Sequence, residues 1–111
     1  EDIKYDERIE EILSFINNNL YEDLSIDTMS KKFYINKYYL MHLFKQETGF
    51  TLYRYIQKKR AIKASYLLKE GIPAGEVCSL CGFSDYSTFV RTFKKEFHLS
   101  PKQYAKSKSI R

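Results

Sequence analysis

Residues 26–55 and 74–104 of this chain are two versions of one unit, and that duplication limits the fold more than any other feature. In the first copy, Met29-Ser30-Lys31-Lys32-Phe33-Tyr34-Ile35-Asn36 leads to Tyr39-Leu40-x-x-x-Phe44-Lys45. In the second, Val77-Cys78-Ser79-Leu80-Cys81-Gly82-Phe83-Ser84 leads to Thr88-Phe89-x-x-x-Phe93-Lys94. The offset is 48 residues before the polar turn (Met29 to Val77) and 49 after it (Phe44 to Phe93), so the second copy carries one inserted residue at the turn. Each copy is a short apolar-periodic segment, a tight turn, a polar capping residue and a longer basic segment. That order predicts a helix-turn-helix, the motif that lays its second helix in the major groove of DNA. Two copies in one chain predict a monomer that reads two segments of one duplex.

The net charge of +5 conceals an asymmetry. Residues 1–24 hold eight acids against Lys4 and Arg8, which is −6. Residues 25–111 hold 17 Lys or Arg against six acids, which is +11. The basic charge therefore sits with the duplicated unit and its connector. A solvated lysine surface is common, but it does not explain acids gathered at one end, whereas a polyanionic partner does. With 43% hydrophobic and 16% aromatic residues over 111 positions, the chain can build a core, though a thin one if divided between two lobes. No apolar run approaches the roughly 20 residues a membrane span needs, so no membrane partner is expected. The chain starts at Glu1 rather than Met and carries no secretory signal, which reads as a piece of a longer protein.

Cys78-x-x-Cys81 is an isolated pair. A structural zinc site needs four ligands, and only His42 and His98 could complete it, at the wrong spacing. Helical spacing puts both cysteines on the face of Val77, as small core residues. No metal or other cofactor is expected. Two thiols without a disulfide framework fit a reducing, cytoplasmic setting. Two histidines, no phosphate-binding loop and no metal constellation argue against an enzyme.

The periodicity predicts an all-α chain of about seven helices: two helix-turn-helix subdomains, 7–50 and 73–105, joined by a long connector helix, 52–69, with a flexible tail at 106–111. Asp6 is placed to cap a first helix over 7–20, with Ile9, Ile12, Leu13, Ile16 and Leu20 inward. Ser25 caps 26–33, Tyr34-Ile35 turn the chain, Asn36 caps 37–48 and Gly49 ends it. The connector carries Ile56, Arg60, Ala64, Leu67 and Leu68 on one stripe, with Gly71 as its stop. Arg60 on that stripe reads as a structural bridge. Pro73 suits the start of the next helix, which ends at Cys81-Gly82. Ser84 is read as the cap of 85–97, and Ser100-Pro101-Lys102-Gln103 has the pattern of a capping box for a last helix through Ala105.

With Leu40 and Phe44 inward, Lys37, Tyr38, Met41 and His42 face outward on the first basic segment, with Lys45 further along. Tyr39 reads as core. With Phe89 and Phe93 inward, Tyr86, Ser87, Thr88, Val90 and Arg91 face outward on the second, with Lys94 and Lys95 behind. Lys37, Lys45, Lys94 and Lys95 form the expected phosphate-contacting set, together with helix-terminal N–H groups near Ser25 and Ala74.

These residues carry a specific resemblance. Phe44-Lys45-Gln46-Glu47-Thr48-Gly49 with Tyr55-Ile56, Arg60 and Ala64, then Cys81-Gly82-Phe83-Ser84-Asp85-Tyr86-Ser87-Thr88-Phe89-x-Arg91-x-Phe93-Lys94, then Ser100-Pro101-x-x-Tyr104, resembles the DNA-binding domain of AraC/XylS-family bacterial transcription regulators. The resemblance covers about residues 9–105. It implies that Tyr38, Met41 and His42, and Tyr86, Ser87, Thr88 and Arg91, read base edges of promoter DNA. It implies an upstream sensor or receiver domain and contact with RNA polymerase. Where the family often has Arg, this chain has His42, so Arg91 is expected to anchor specificity through a bidentate guanine contact worth about 1–3 kcal/mol. The connector's 18 residues span about 27 Å, and with the flanking lobes are expected to set the two readers about one DNA turn (~34 Å) apart. Ile62 and Tyr66 depart from the usual polar outer face, either as scattered surface hydrophobes or as an interdomain or dimer patch. The competing reading is a basic helical protein-interaction module without DNA specificity.

Overall fold

The computed structural model describes residues 5–108, which hold seven helices and no strand. They fall into two compact units divided between Ile56 and Gln57.

In the first unit, Asp6 accepts the Arg8 backbone N–H and opens α1 (Glu7–Asn18). The helix stops two residues before the expected end, within Asn17-Asn18-Asn19. Ser25 accepts the Thr28 N–H and opens α2 (Ile26–Lys32). Asn36 accepts two N–H groups, from Tyr38 and Tyr39, and opens α3 (Lys37–Thr48). Gly49, left-handed at φ 84°, closes α3. Ile9, Ile12, Ile16, Met29, Leu40 and Phe44 are fully buried, with Leu52 and Ile56 of the next helix in the same core and Phe33 packed against it. Phe15 meets Phe33 edge-on at 5.7 Å.

The connector, α4 (Leu52–Lys69), has the expected bounds. Its first residues enter the first core, while Ala64 and Leu68 enter a second. Arg60 and Leu67 are half-buried, and Ala61, Gln57 and Ser65 are buried beside the expected stripe. In the second unit, Pro73 precedes α5 (Ala74–Leu80) and Cys81 ends it. The helix α6 (Tyr86–Phe97) and α7 (Pro101–Lys108) complete the unit. Its core is an aromatic ladder: Phe89 stacks on Phe93 at 6.0 Å, and Phe93 meets Phe97 and Tyr104 edge-on at 4.6 and 5.1 Å. Cys78 and Cys81 are core residues, and burial pushes the Cys81 thiol up to about 11. That thiol is protonated and unreactive at neutral pH.

Two elements differ from the expectation. The cap of α6 is Asp85, not Ser84: Asp85 Oδ1 accepts the Thr88 N–H at 2.7 Å, and Ser84 only leans on the same carboxylate. The duplication contained this, since the 49-residue offset after the turn maps Asn36 onto Asp85. The tail also does not begin at 106. Helix α7 continues to Lys108, its last turn held by Tyr104, whose carbonyl accepts the Ser107 hydroxyl at 2.9 Å and whose ring lies 5.7 Å from Lys108 Nζ. The remainder of the expected tail, 109–111, lies outside the described residues. The capping box is present in both directions, Ser100 N–H to Gln103 Oε1 and Gln103 N–H to Ser100 Oγ.

The two copies agree in backbone detail. Ile35 N–H donates to the Ser30 carbonyl as Phe83 N–H does to that of Cys78, each bond closing the turn 48 residues apart. Four positions are left-handed in pairs: Tyr34 (φ 54°) and Gly82 (86°) at the turn, Gly49 (84°) and His98 (66°) at the exit of the second helix.

Candidate nucleic-acid interface

Helices α3 and α6 are each 12 residues, each begin at a carboxylate or amide cap, and each bury one apolar stripe. Burying Leu40, Leu43 and Phe44 leaves Tyr38, Met41, His42 and Lys45 exposed on α3. Burying Phe89 and Phe93 leaves Tyr86, Ser87, Arg91, Lys94 and Lys95 exposed on α6, with Thr88 and Val90 half-buried.

The α3 surface is more aromatic than expected. Tyr38 is 69% exposed. Tyr39 is not core: it is 45% exposed, with its hydroxyl accepting Arg8 Nη2 at 3.1 Å and its ring 5.3 Å from the Arg8 guanidinium carbon. The duplication again gave the signal, because Tyr39 corresponds to the outward Thr88. Lys37 is half-buried; its Nζ pairs with Asp27 at 3.3 Å and lies 5.6 Å from the Tyr38 ring centroid. That exposed ion pair is worth little, so it does not commit Lys37. At the start of α2, the Thr28 N–H is already taken by Ser25.

The α6 surface is more connected. Asp85 Oδ2 accepts the Thr88 hydroxyl at 3.1 Å, and Thr88 Oγ1 accepts Arg91 Nη2 at 3.4 Å. The Thr88 N–H and hydroxyl hold the Asp85 carboxyl below its ordinary 3.8, with smaller help from Arg91. The Tyr86 ring rests edge-on against Phe89 at 5.7 Å, while the residue stays 40% exposed.

Two contacts from α4 set the seat of α6. Buried Gln57, 6% exposed, donates Nε2 to Thr92 Oγ1 at 3.3 Å. Lys58 Nζ pairs with Glu96 Oε1 at 3.1 Å. Thr92 and Glu96 are one turn apart, so the two contacts grip α6 along its length behind Arg91. Neither is visible as a motif, since the partners lie 35 and 38 positions apart. On the outer face of α4, Ile62 is half-buried, and the exposed Tyr66 ring lies 5.7 Å from Lys69 Nζ. Among the described residues, no cluster of His, Cys, Asp and Glu could hold a metal, and no helix is long and apolar enough to cross a membrane.

Comparison with known proteins agrees with this geometry. Residues 29–107 match a helix-turn-helix domain family. The multiple antibiotic resistance protein MarA of Escherichia coli K12 is 34% identical over 97 residues, which covers 86% of this chain and 76% of MarA. An uncharacterized response regulatory protein of Staphylococcus epidermidis is 30% identical over 105 residues, 94% of this chain. The chain spans 42% of that relative's length. The C-terminal domain of AraT, a response regulator from Geobacillus stearothermophilus, shares the fold with a TM-score of 0.92 at 24% identity, covering 97% of this chain and 91% of its own. By its family match and its likeness to MarA, the chain belongs to the AraC/XylS family of helix-turn-helix domains, which bind DNA sequence-specifically to regulate transcription and are not an enzyme family.

Proposed function

We propose that α3 and α6 read base edges in two successive major-groove segments of one promoter duplex. The observation that carries this is the repeated architecture: each copy buries one apolar stripe and turns the opposite face of a capped 12-residue helix to solvent. Tyr38, Met41 and His42 are the readers on α3, and Tyr86, Ser87, Thr88 and Arg91 those on α6. Lys45, Lys94 and Lys95 meet phosphates, and Lys37 exchanges Asp27 for one. Phosphate contacts hold the register, while base contacts give the sequence.

The readers are unequal. Arg91 presents a planar fork that matches guanine O6 and N7, while Met41 and His42 offer no such pairing. Binding-site selection on Arg91→Ala will show flattened preference within one half of the site and a loss of about 1–3 kcal/mol on the preferred sequence. His42→Ala will cost less. The reverse ranking would overturn this assignment.

Binding weakens steeply with salt, because lysines that neutralise phosphates release counterions. Lys94→Ala lowers specific and non-specific affinity alike and makes the salt slope shallower by about one unit. A parent slope near zero, with no sequence preference, would instead identify a basic protein-interaction module.

The relatives suggest the setting. Two of them are response regulators, and in the full-length protein we place a receiver or sensor domain upstream of this one. The regulator then works at bacterial promoters in the cytoplasm and contacts RNA polymerase. An extended reading frame encoding such a domain tests the first point, and a pull-down of polymerase on promoter DNA tests the second.

A further inference from the structure

We propose that Asp85 fixes the hydrogen-bonding sense of Thr88, so that α6 selects at that position a base with a major-groove amino group, adenine or cytosine. This rests on α6 being a base reader. It adds a specificity-determining residue that itself touches no base.

The protons at this cap decide the sense of each hydrogen bond. An ionised carboxylate only accepts hydrogen bonds. Asp85 is ionised at neutral pH, since the Thr88 N–H and hydroxyl lower its carboxyl from an already acidic range. It takes the Thr88 N–H on Oδ1 at 2.7 Å and the Thr88 hydroxyl on Oδ2 at 3.1 Å. A threonine hydroxyl has one proton and two lone pairs. With the proton given to Asp85, the oxygen can only accept. It does so within the protein, from Arg91 Nη2 at 3.4 Å. When the arginine fork moves to a base, that lone pair is released.

The major groove offers donors only at adenine N6 and cytosine N4. Guanine presents O6 and N7 and thymine O4, all acceptors. A free threonine hydroxyl rotates to suit either kind. Here it cannot rotate without breaking its bond to Asp85, and a guanine or thymine would set lone pair against lone pair. One turn on, Arg91 is a pure donor and takes guanine. The two neighbours therefore have opposite and fixed senses.

Asp85→Asn tests this directly. Asn is as good an N-cap as Asp, so its oxygen keeps the Thr88 N–H. Its amide nitrogen replaces Oδ2, donates to Thr88 Oγ1 and frees the hydroxyl proton. Site selection from randomised duplex DNA is run on the parent, Asp85→Asn, Thr88→Val and Arg91→Ala, with thermal melts to confirm folding. In the parent, one position prefers adenine or cytosine over guanine or thymine by roughly fivefold, the worth of one hydrogen bond. The preference is lost in Thr88→Val, which keeps the shape without the hydroxyl. In Asp85→Asn it falls to near parity or reverses, while the guanine chosen by Arg91 is retained. A parent that prefers thymine there, unchanged in Thr88→Val, shows that the methyl group reads the base and overturns the proposal. So does an Asp85→Asn profile identical to the parent. If Asp85→Asn does not fold, the parent and Thr88→Val profiles still decide. If Arg91→Ala also leaves the selected sequence unchanged, the failure lies in α6 as a reader.

Discussion

Phe93→Ala should unfold most of the second unit. Phe93 is fully buried, and its ring touches those of Phe89, Phe97 and Tyr104, from α6 and α7. Truncation removes the transfer energy of a benzyl group and leaves a cavity that three rigid rings cannot fill. Such substitutions cost about 3–5 kcal/mol. Aromatic pair geometry adds to the loss. A domain of this size has a total stability of about 5–15 kcal/mol, and a unit of about half the chain commands less of it. At about 4–8 °C per kcal/mol, the midpoint should fall by at least ~12 °C. Amide spectra should lose the dispersed signals of 74–108 before those of α1 to α3. Arg91-dependent base selection should vanish in the same variant. A melt within a few degrees of the parent would show that the ladder is not what holds α6.

Lys63→Pro should have a comparable effect by a different route. Position 63 lies inside α4, between Ile56 of the first core and Ala64 of the second. Proline there deletes a main-chain hydrogen bond and pushes its ring into the carbonyl of the preceding turn, at about 3 kcal/mol or more. Lys63 is only half-buried, so Lys63→Ala serves as a mild control. The cores themselves lose no apolar atom. Because position 63 falls within the second unit, between the Gln57 and Lys58 contacts to α6 and Ala64 of its core, the expected result is a second unit that melts earlier than the first and affinity for a complete site that falls towards that of the first unit alone. A footprint that stays two-part and equally tight would show that a continuous α4 is not required.

How much of this could be read beforehand depended on the range of the interaction. Caps at Asp6, Ser25 and Asn36, the Gly49 exit, the Ser100–Gln103 box and both ends of α4 are set by residues within a few positions, and the sequence displays them. The Asp85 cap and outward Tyr39 are equally local. Propensity taken copy by copy favours Ser84 as the cap and a core Tyr39, whereas the 49-residue offset pairs Asp85 with Asn36 and Tyr39 with Thr88. The last turn of α7 is not legible in its composition, because a buried tyrosine holds it. Gln57 with Thr92 and Lys58 with Glu96 were not legible at all. They exist only once α4 and α6 are packed, and each residue alone is an ordinary surface type. The outward faces of α3 and α6 were legible because burying one helical stripe decides the other.

The paired left-handed positions bear on how the two copies could diverge. Each copy needs one left-handed residue at its turn and one where its second helix ends, and only glycine adopts that backbone without a steric penalty. The first copy has tyrosine at the turn and glycine at the exit; the second has glycine at the turn and histidine at the exit. Each copy therefore has glycine at one of the two positions and a bulky residue at the other. Neither copy bears both penalties at once. Tyr34 is 96% exposed, so no packing compensates its backbone. The tolerance for such a residue is a property of the whole copy, and a second bulky residue, at Gly49 or at Gly82, would meet a unit whose allowance is already taken. Stability thus couples what the two positions tolerate within a copy, although they stand some 15 residues apart (Tyr34 to Gly49).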